Sequence, residues 1–369
     1  MKIAIPIILF VHGLIHLMGF AKAFGLVEIE PLSGPISKSW GWVWLLAALL
    51  FLVTFVLFIL KKDVWPVLAI AAVLLSQILI LTVWSDAKFG TLVNLIILIA
   101  AIIGLATQNF ENGYQKDVAL AIEKTDFHTD TVTEKDLVLL PEPVKKYLRY
   151  VGAVGKPKVY NVKIVFEGEM RDKNKDWFAF TSEQYNFFED PTRLFFMKAK
   201  IKGLSTYGYH CYKKNKASMS VKLLSLLPVL QVGKPELFPT ETVTFFNDLC
   251  LFAPAVLIDD RISWKEIDDR SAKATFSNKG TTISAILHFN EKGQLVNFDS
   301  NDRIAVDEMK TYPFSTPVKN YLNSNGFNLP TYGEAVWHYP DGKFVYGRFE
   351  LKEIEYNVSE FEKKILSFY

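Results

Sequence analysis

The stretch YNVKIVFEGEM (160–170) is where the chain changes periodicity. Tyr160, Val162, Ile164, Phe166 and Met170 fall on one side of an extended backbone. Asn161, Lys163, Glu167 and Glu169 fall on the other. A period of two marks a strand with one buried face. The pattern returns at Arg193–Ile201, with Phe195, Met197, Ala199 and Ile201 on one face, and again at Ile283, Ala285, Leu287 and Phe289. Glu291-Lys292-Gly293 turns the chain into Gln294–Ser300, and Pro340-Asp341-Gly342 joins Ala335–Tyr339 to Lys343–Tyr356. With Asp176–Phe188, Arg261–Ile267 and Ala272–Ser277, about eight or nine strands follow from the pattern. Short turns make most neighbours antiparallel. The expected domain, residues 135–369, is α+β: a curved, mostly antiparallel sheet with a few covering helices.

One segment breaks the alternation. Between Leu223 and Ile258 the charges are confined to Lys234, Glu236, Glu241 and Asp248. Val221–Leu230 is apolar apart from Lys222 and its few small polar residues, and Thr240–Leu251 reads as a helix capped by Thr240 and stopped by Pro254. Such a segment suits a plug in the concave face of the sheet. It also suits a lid over an apolar ligand cavity, or a face that dips into a bilayer. Phe166, Met170, Phe195, Met197, Leu223, Leu224, Leu227 and Phe289 are the candidate ligand-binding residues.

Upstream of 160 the period is helical. Thr133 with Asp136 marks a helix start, and Pro143–Val151 forms a second helix closed by Gly152. Residues 108–134 read as a polar linker, with a short amphipathic helix at Gln115–Thr125. Before it, a bilayer core of about 30 Å needs roughly 20 apolar residues as helix. Ile3–Ala21, Trp40–Leu60, Val64–Trp84 and Phe89–Thr107 meet that requirement, and tryptophans gather at their ends. The first span has a rival reading as a signal peptide ending at Ala21-Lys22-Ala23, but its length and two histidines favour a retained helix.

The composition agrees with a protein part in lipid and part in water. Of 369 residues, 50% are hydrophobic and 22% charged, and the mean hydropathy is +0.17. Residues 1–107 hold six Lys, two Asp, two Glu and no Arg; the remainder balances 35 basic against 35 acidic groups, out of 41 and 39 in all. Gly 20, Pro 16 and Cys 2 exclude a collagenous or disulfide-dense scaffold. The neutral surface offers no electrostatic footprint for nucleic acid. Walker A, HExxH and CxxC patterns are absent from the sequence, so no cofactor or metal is expected. With the N-terminus inside, Lys2, Lys61, Lys62 and Lys116 lie inside against Lys22, Lys38 and Lys88 outside, which favours both termini in the cytoplasm. Cys211 and Cys250 can be a pair or two thiols.

Several of these stretches carry a family resemblance. HGLIHLMGFAKAFG (12–25), WSDAKFGTLVNLIIL (84–98), LPEPVKKYL (140–148), SLLPVLQVGKPE (225–236), SWKEID (263–268) and GEAVWHYPDGKFVYGRFELKEIEYN (333–357) together resemble an uncharacterised bacterial family. Its members join four membrane helices to a C-terminal domain of unknown function. The resemblance implies architecture and no chemistry. The expected curved sheet also resembles the lipoprotein-carrier (LolA-like) fold, which implies binding of acyl chains.

In the first spans, His12 and His16 share a helix face. Asp86 and Lys88 lie at the junction before the fourth span, and Asn94 lies inside it. Ionisable groups in a membrane are functional candidates by default, and two His with a carboxylate can hold a metal. The plainer reading is that they bond neighbouring helices. Glu183, Arg261, Asp302 and Arg303 are candidates to converge on a pocket, although exposed strand faces carry such groups routinely. The leading expectation is a membrane protein whose β domain binds an apolar ligand, lipid or acyl chain, without catalysis. The alternatives are a membrane metal or redox enzyme using His12, His16 and Asp86, and an assembly protein that docks a protein partner.

Overall fold

The computed structural model describes residues 3–30, 32–306 and 308–362. It divides into two units, Met1–Phe110 and Glu111–Tyr369.

The first unit holds α1 (Ala4–Ala23), α2 (Lys38–Ile59), α3 (Trp65–Thr82), the single turn α4 (Trp84–Ala87) and the start of α5 (Gly90–Glu123). Four of these helices are long and apolar enough to cross a membrane. Ser37 caps α2 by accepting from the Trp40 amide, and Pro66 sits in the first turn of α3, where its missing N–H costs little. The helices approach through small residues. A Cβ on Gly19 would lie 2.1 Å from the Trp44 ring, so the α1–α2 crossing depends on glycine there. Leucines, isoleucines and valines such as Leu74, Leu81 and Leu92 point outward.

The polar stretch after Thr107 does not end the fourth helix. α5 runs unbroken from Gly90 to Glu123, and the short helix expected at Gln115–Thr125 is its last part. Gln108, Asn109 and Glu111 are polar but the stretch has no Pro or Gly to break the backbone, so the composition changes while the helix continues.

The second unit begins with those last turns of α5. A capping box of Thr133 and Asp136 opens a short 3-10 turn at Glu134–Leu137. α6 (Glu142–Val151) follows, closed by Gly152 in the left-handed conformation, φ 76°. Then come β1 (Asn161–Met170), β2 (Phe178–Phe187), β3 (Thr192–Ile201), β4 (Leu204–Lys213), β5 (Lys216–Leu223) and β6 (Leu227–Val232). α7 (Leu237–Phe252) and a 3-10 turn at Pro254–Ile258 interrupt the strands. The rest is β7 (Ile262–Asp268), β8 (Ser271–Asn278), β9 (Thr281–Phe289), β10 (Leu295–Ser300), β11 (Ile304–Ala305), β12 (Lys310–Thr311), β13 (Phe314–Ser315), β14 (Val318–Ser324), β15 (Phe327–Tyr339) and β16 (Gly342–Tyr356).

These strands form one open 14-stranded sheet in the order β6-β5-β4-β3-β2-β1-β16-β15-β13-β10-β9-β8-β7, with β14 also on β15; β11 and β12 pair separately. It is two meanders joined where β1 meets β16, from Val162↔Tyr356 to Met170↔Gly347, antiparallel throughout. The seam is tight at Gly168, where a Cβ would lie 2.1 Å from the Arg348 carbonyl oxygen. Bulges at Val165/Phe166 and Ala335/Val336 bend the sheet there. The bend is deep: α7 touches β4 and β5 near one end of the strand order and β9 and β10 near the other. The sheet therefore wraps around the helix without closing into a barrel.

Burial follows the alternation on β9, where Ile283, Ala285, Leu287 and Phe289 face the core. It fails on β3, where Thr192–Lys200 is buried on both faces apart from Lys200. The reason is α5, whose last turns cover the convex side of β2–β4: Tyr114 stacks on Phe196 and donates to Glu183 at 3.1 Å. The charge-poor segment divides in two. Leu223–Val232 belongs to the β5–β6 hairpin at the sheet edge, and α7, with α6 and the Pro254–Ile258 turn beside it, fills the concave face. The helix starts at Leu237, so Thr240 does not cap it; its hydroxyl accepts the Ile304 amide at 2.7 Å.

Candidate functional site

The membrane unit gathers the neutral polar residues and leaves the charged ones out. His12 and His16 lie on one face of α1 and are almost fully buried. His12 Nε2 is 3.0 Å from Asn94 Oδ1 and 3.4 Å from Ser76 Oγ. Asn94 Nδ2 donates to Gln77 Oε1 at 3.1 Å, and Gln77 Nε2 donates to Thr91 Oγ1 at 3.1 Å. His16 Nδ1 donates to the His12 carbonyl at 2.8 Å. Its Nε2 is then a bare acceptor with no hydrogen-bond partner among the described residues. Phe51 and Trp44 pack on the two rings.

Asp86 and Lys88 stand apart from this chain. Asp86 accepts the Ser33 amide at 2.7 Å and the Ser33 hydroxyl, and these bonds hold its carboxyl below the usual range. Lys88 is exposed, with its ammonium over the Phe89 ring. The set His12, His16 and Asp86 is therefore not assembled as a ligand group, and the described residues contain no cluster of three His, Cys, Asp or Glu placed to hold a metal.

In the second unit, the candidate ligand-binding residues part company. Phe166, Phe195, Met197 and Phe289 meet in the main core, with Met170 half-buried against it. α7 lies over them and packs by its aromatic rings: Phe252 on Phe166 at 5.2 Å, Phe238 on Tyr212 at 4.9 Å, Phe246 on Phe276 at 5.3 Å. Leu223 and Leu224 are half-buried and Leu227 is exposed, all in the edge hairpin. Leu224 and Ser225 both have positive φ there, 52° and 59°, a conformation that costs a leucine about 1–2 kcal/mol.

The seam between α7 and the sheet is polar and ionic. Arg193 Nε donates to Asp248 Oδ2 at 2.7 Å, and its NH2 donates to Gln184 Oε1 at 3.1 Å. Gln184 and Asn186 also donate to Asp248, at 2.7 and 3.3 Å. Glu241, two turns before Asp248, lies 3.6 Å from Arg193. Burial raises its carboxyl, against the pull of Arg193 and Arg303. His210, on the same face of the sheet as Phe195, is pushed down to about 3, first by burial and then by the two arginines. Thr242 with Tyr212 (3.0 Å) and Asn247 with Thr316 (2.8 Å) complete the seam.

The second constellation does not form. Glu183 faces the convex side with Tyr114 and Lys163. Arg261 is bound to Asp259, and Asp302 accepts the Ser284 amide at 2.6 Å. Arg303 lies 4.0 Å over the Phe314 ring, beside Trp337 and Tyr346. Cys211 and Cys250 are free thiols, and burial raises both. Sequence reasoning missed the Arg193–Asp248 seam. A signal was available: Glu241 and Asp248 are seven apart in an otherwise charge-poor helix, which puts them on one face.

Residues 130–349 match a family of unknown function (DUF6544). No curated protein matches. A LolA superfamily protein from Nitrosomonas europaea is a structural likeness, with a TM-score of 0.30 and 10% identity over 61% of this chain and 94% of that one. The family match spans more than half of the 369 residues, and the chain belongs to that family of unknown function.

Proposed function

We propose that this member of the family is a multi-pass membrane protein whose β domain takes up an apolar ligand, an acyl chain or lipid, beneath α7, without catalysis. The observation that carries this reading is the cover on the concave face. A deeply curved sheet presents Phe166, Phe195, Met197 and Phe289 inward, and α7 lies over them, with Tyr147 of α6 against Phe289. α7 is held by discrete polar pairs as well as by rings. A helix so held can be displaced as a body, exposing an apolar floor bordered by Arg193, Gln184 and Asn186. Burying an acyl chain of ~15 methylenes is worth about 12 kcal/mol before costs, which offsets part of the seam and ring contacts that α7 would lose. The lysine distribution favours both termini on the cytoplasmic side.

The metal or redox alternative loses its third ligand, since Asp86 is engaged by Ser33. The test of the ligand reading is native mass spectrometry of the full chain extracted from membranes. A discrete extra mass removed by organic solvent is expected, and it should be missing from a folded Met197→Asp variant. A clean, ligand-free mass for the unaltered chain under gentle extraction would refute the reading.

A further inference from the structure

Two hairpin turns lie side by side at one end of the strands. Ile201 pairs with Leu204 across the β3–β4 turn, and the Leu224 amide, in the β5–β6 turn, donates to the Ser205 carbonyl. Around them the apolar side chains are not covered: Leu204 is 46% exposed, Leu227 60% and Val229 65%. β6 is also the last strand of the sheet, so one side of its backbone is unpaired. Exposed apolar side chains on an edge strand call for a partner.

The charge of this region is one-sided. From Pro191 to Pro235 the sequence contains no Asp or Glu. Arg193, Lys198 and Lys213 are engaged by Asp248, Glu111 and Asp117, while Lys200 and Lys202 are exposed beside the turns. The chain also enters this unit from the same end. Glu111, its first residue, pairs with Lys198 near the end of β3, and Asp117 pairs with Lys213 toward the opposite end of the strands. The residues that precede Glu111 are the apolar part of α5.

We infer that this end of the sheet is a lipid-docking surface: Leu204, Leu227 and Val229 enter the interfacial layer of the bilayer, and Lys200 and Lys202 contact anionic headgroups. The surface stands independently of whether the interior takes a ligand. It places this edge of the sheet where an acyl chain would have to leave or enter the membrane.

The test uses the full chain in vesicles of phosphatidylcholine, with and without phosphatidylglycerol. A nitroxide is attached at Leu227→Cys in a Cys211→Ser background, with Lys214→Cys at the opposite strand end as the reference. At 227, collisions with oxygen should exceed those with a water-soluble nickel chelate; at 214 the order should reverse. Lys200→Glu and Lys202→Glu should each weaken the docked population about fivefold in anionic vesicles. Val229→Cys repeats the measurement at a second site should the first label perturb the edge. Nickel access at 227 and 229 equal to that at 214 overturns the surface. Equal depth without phosphatidylglycerol overturns the headgroup contact. Dipolar broadening between labels would assign the edge to a second copy of the chain instead, and overturns the proposal as well.

Discussion

The two units bury polar groups by opposite means. In the membrane unit the buried chain is neutral: His12, Asn94, Gln77, Ser76 and Thr91 hand hydrogen bonds from helix to helix. Beneath α7 it is ionic: Arg193 with Asp248, Glu241 beside them. Helices apolar enough to cross a bilayer offer a charge no water to retreat to, so amides and imidazoles do the joining there. In the β domain a charge can be buried if its partner is built in, and the pair then makes the seam specific to one register of helix on sheet.

The comparison is broken most severely by removing half of the ionic seam. Asp248→Ala removes the close partner of the buried Arg193 guanidinium and leaves it only Glu241 at 3.6 Å and the Gln184 amide, which should cost about 3–5 kcal/mol. The thermal midpoint of the β domain, followed in the full chain, reads it. Arg193→Met with Asp248→Leu together should cost less than Asp248→Ala alone; equal losses in the single and double variants would show that packing, not charge, holds α7. Backbone contacts come next. Gly168→Ala drives a Cβ into the Arg348 carbonyl and Gly19→Ala drives one into Trp44, each costing about 1–3 kcal/mol. The first should lower the β-domain midpoint, the second the detergent resistance of the helix bundle, and neither should move the other's transition.

pH sharpens the contrast further. His210 is half-buried and its imidazole is held down to about 3. Below about 6.5 the unfolded chain takes up a proton that the folded chain refuses, so stability falls as pH drops from there toward 3. Allowing for the solvent His210 still meets, the loss is about 1–2 kcal/mol. Glu241 acts in reverse: its raised carboxyl takes up a proton before the unfolded chain does, so it gives stability back on acidification. His210→Gln should flatten the acid slope and Glu241→Gln should steepen it, read as ΔG against pH by urea titration. The smallest effect belongs to the neutral chain. Asn94→Leu should cost about 1 kcal/mol in the bundle, and a loss as large as that of Asp248→Ala would mean that His12 carries a charge.

Much of the architecture could be read from local pattern. The apolar runs gave the membrane helices, the period of two gave strands such as β9, and Thr133 and Gly152 gave their helix start and stop. What could not be read was partnership. Alternation says which face of β1 carries the apolar side chains, but not that Asn161 and Lys163 on the other face are buried as well, nor that its neighbour is β16 rather than a nearer strand. It also says nothing of what lies behind β3, where α5 buries Lys198 and Phe196 on the face expected to meet water. Leu223 and Leu227 look as apolar as Phe195, yet they lie at an exposed edge, because hydrophobicity alone does not tell a core from an interface. Helix spacing put His12 and His16 on one face, and Asn94 was grouped with them as a polar residue inside the fourth span. Asp86 was misjoined to them because sequence proximity to the fourth span concealed Ser33, which approaches from a loop far back in the chain.

The joining of β1 to β16 also sets a timetable. Val162 cannot meet Tyr356 until nearly the whole chain has left the ribosome, an interval of about 10–40 s at ordinary rates of synthesis. During that time the first meander stands with its apolar face open and no second half to fold onto. A chain with this topology is aggregation-prone while nascent, and any truncation before β16 removes the central strand pair rather than a tail.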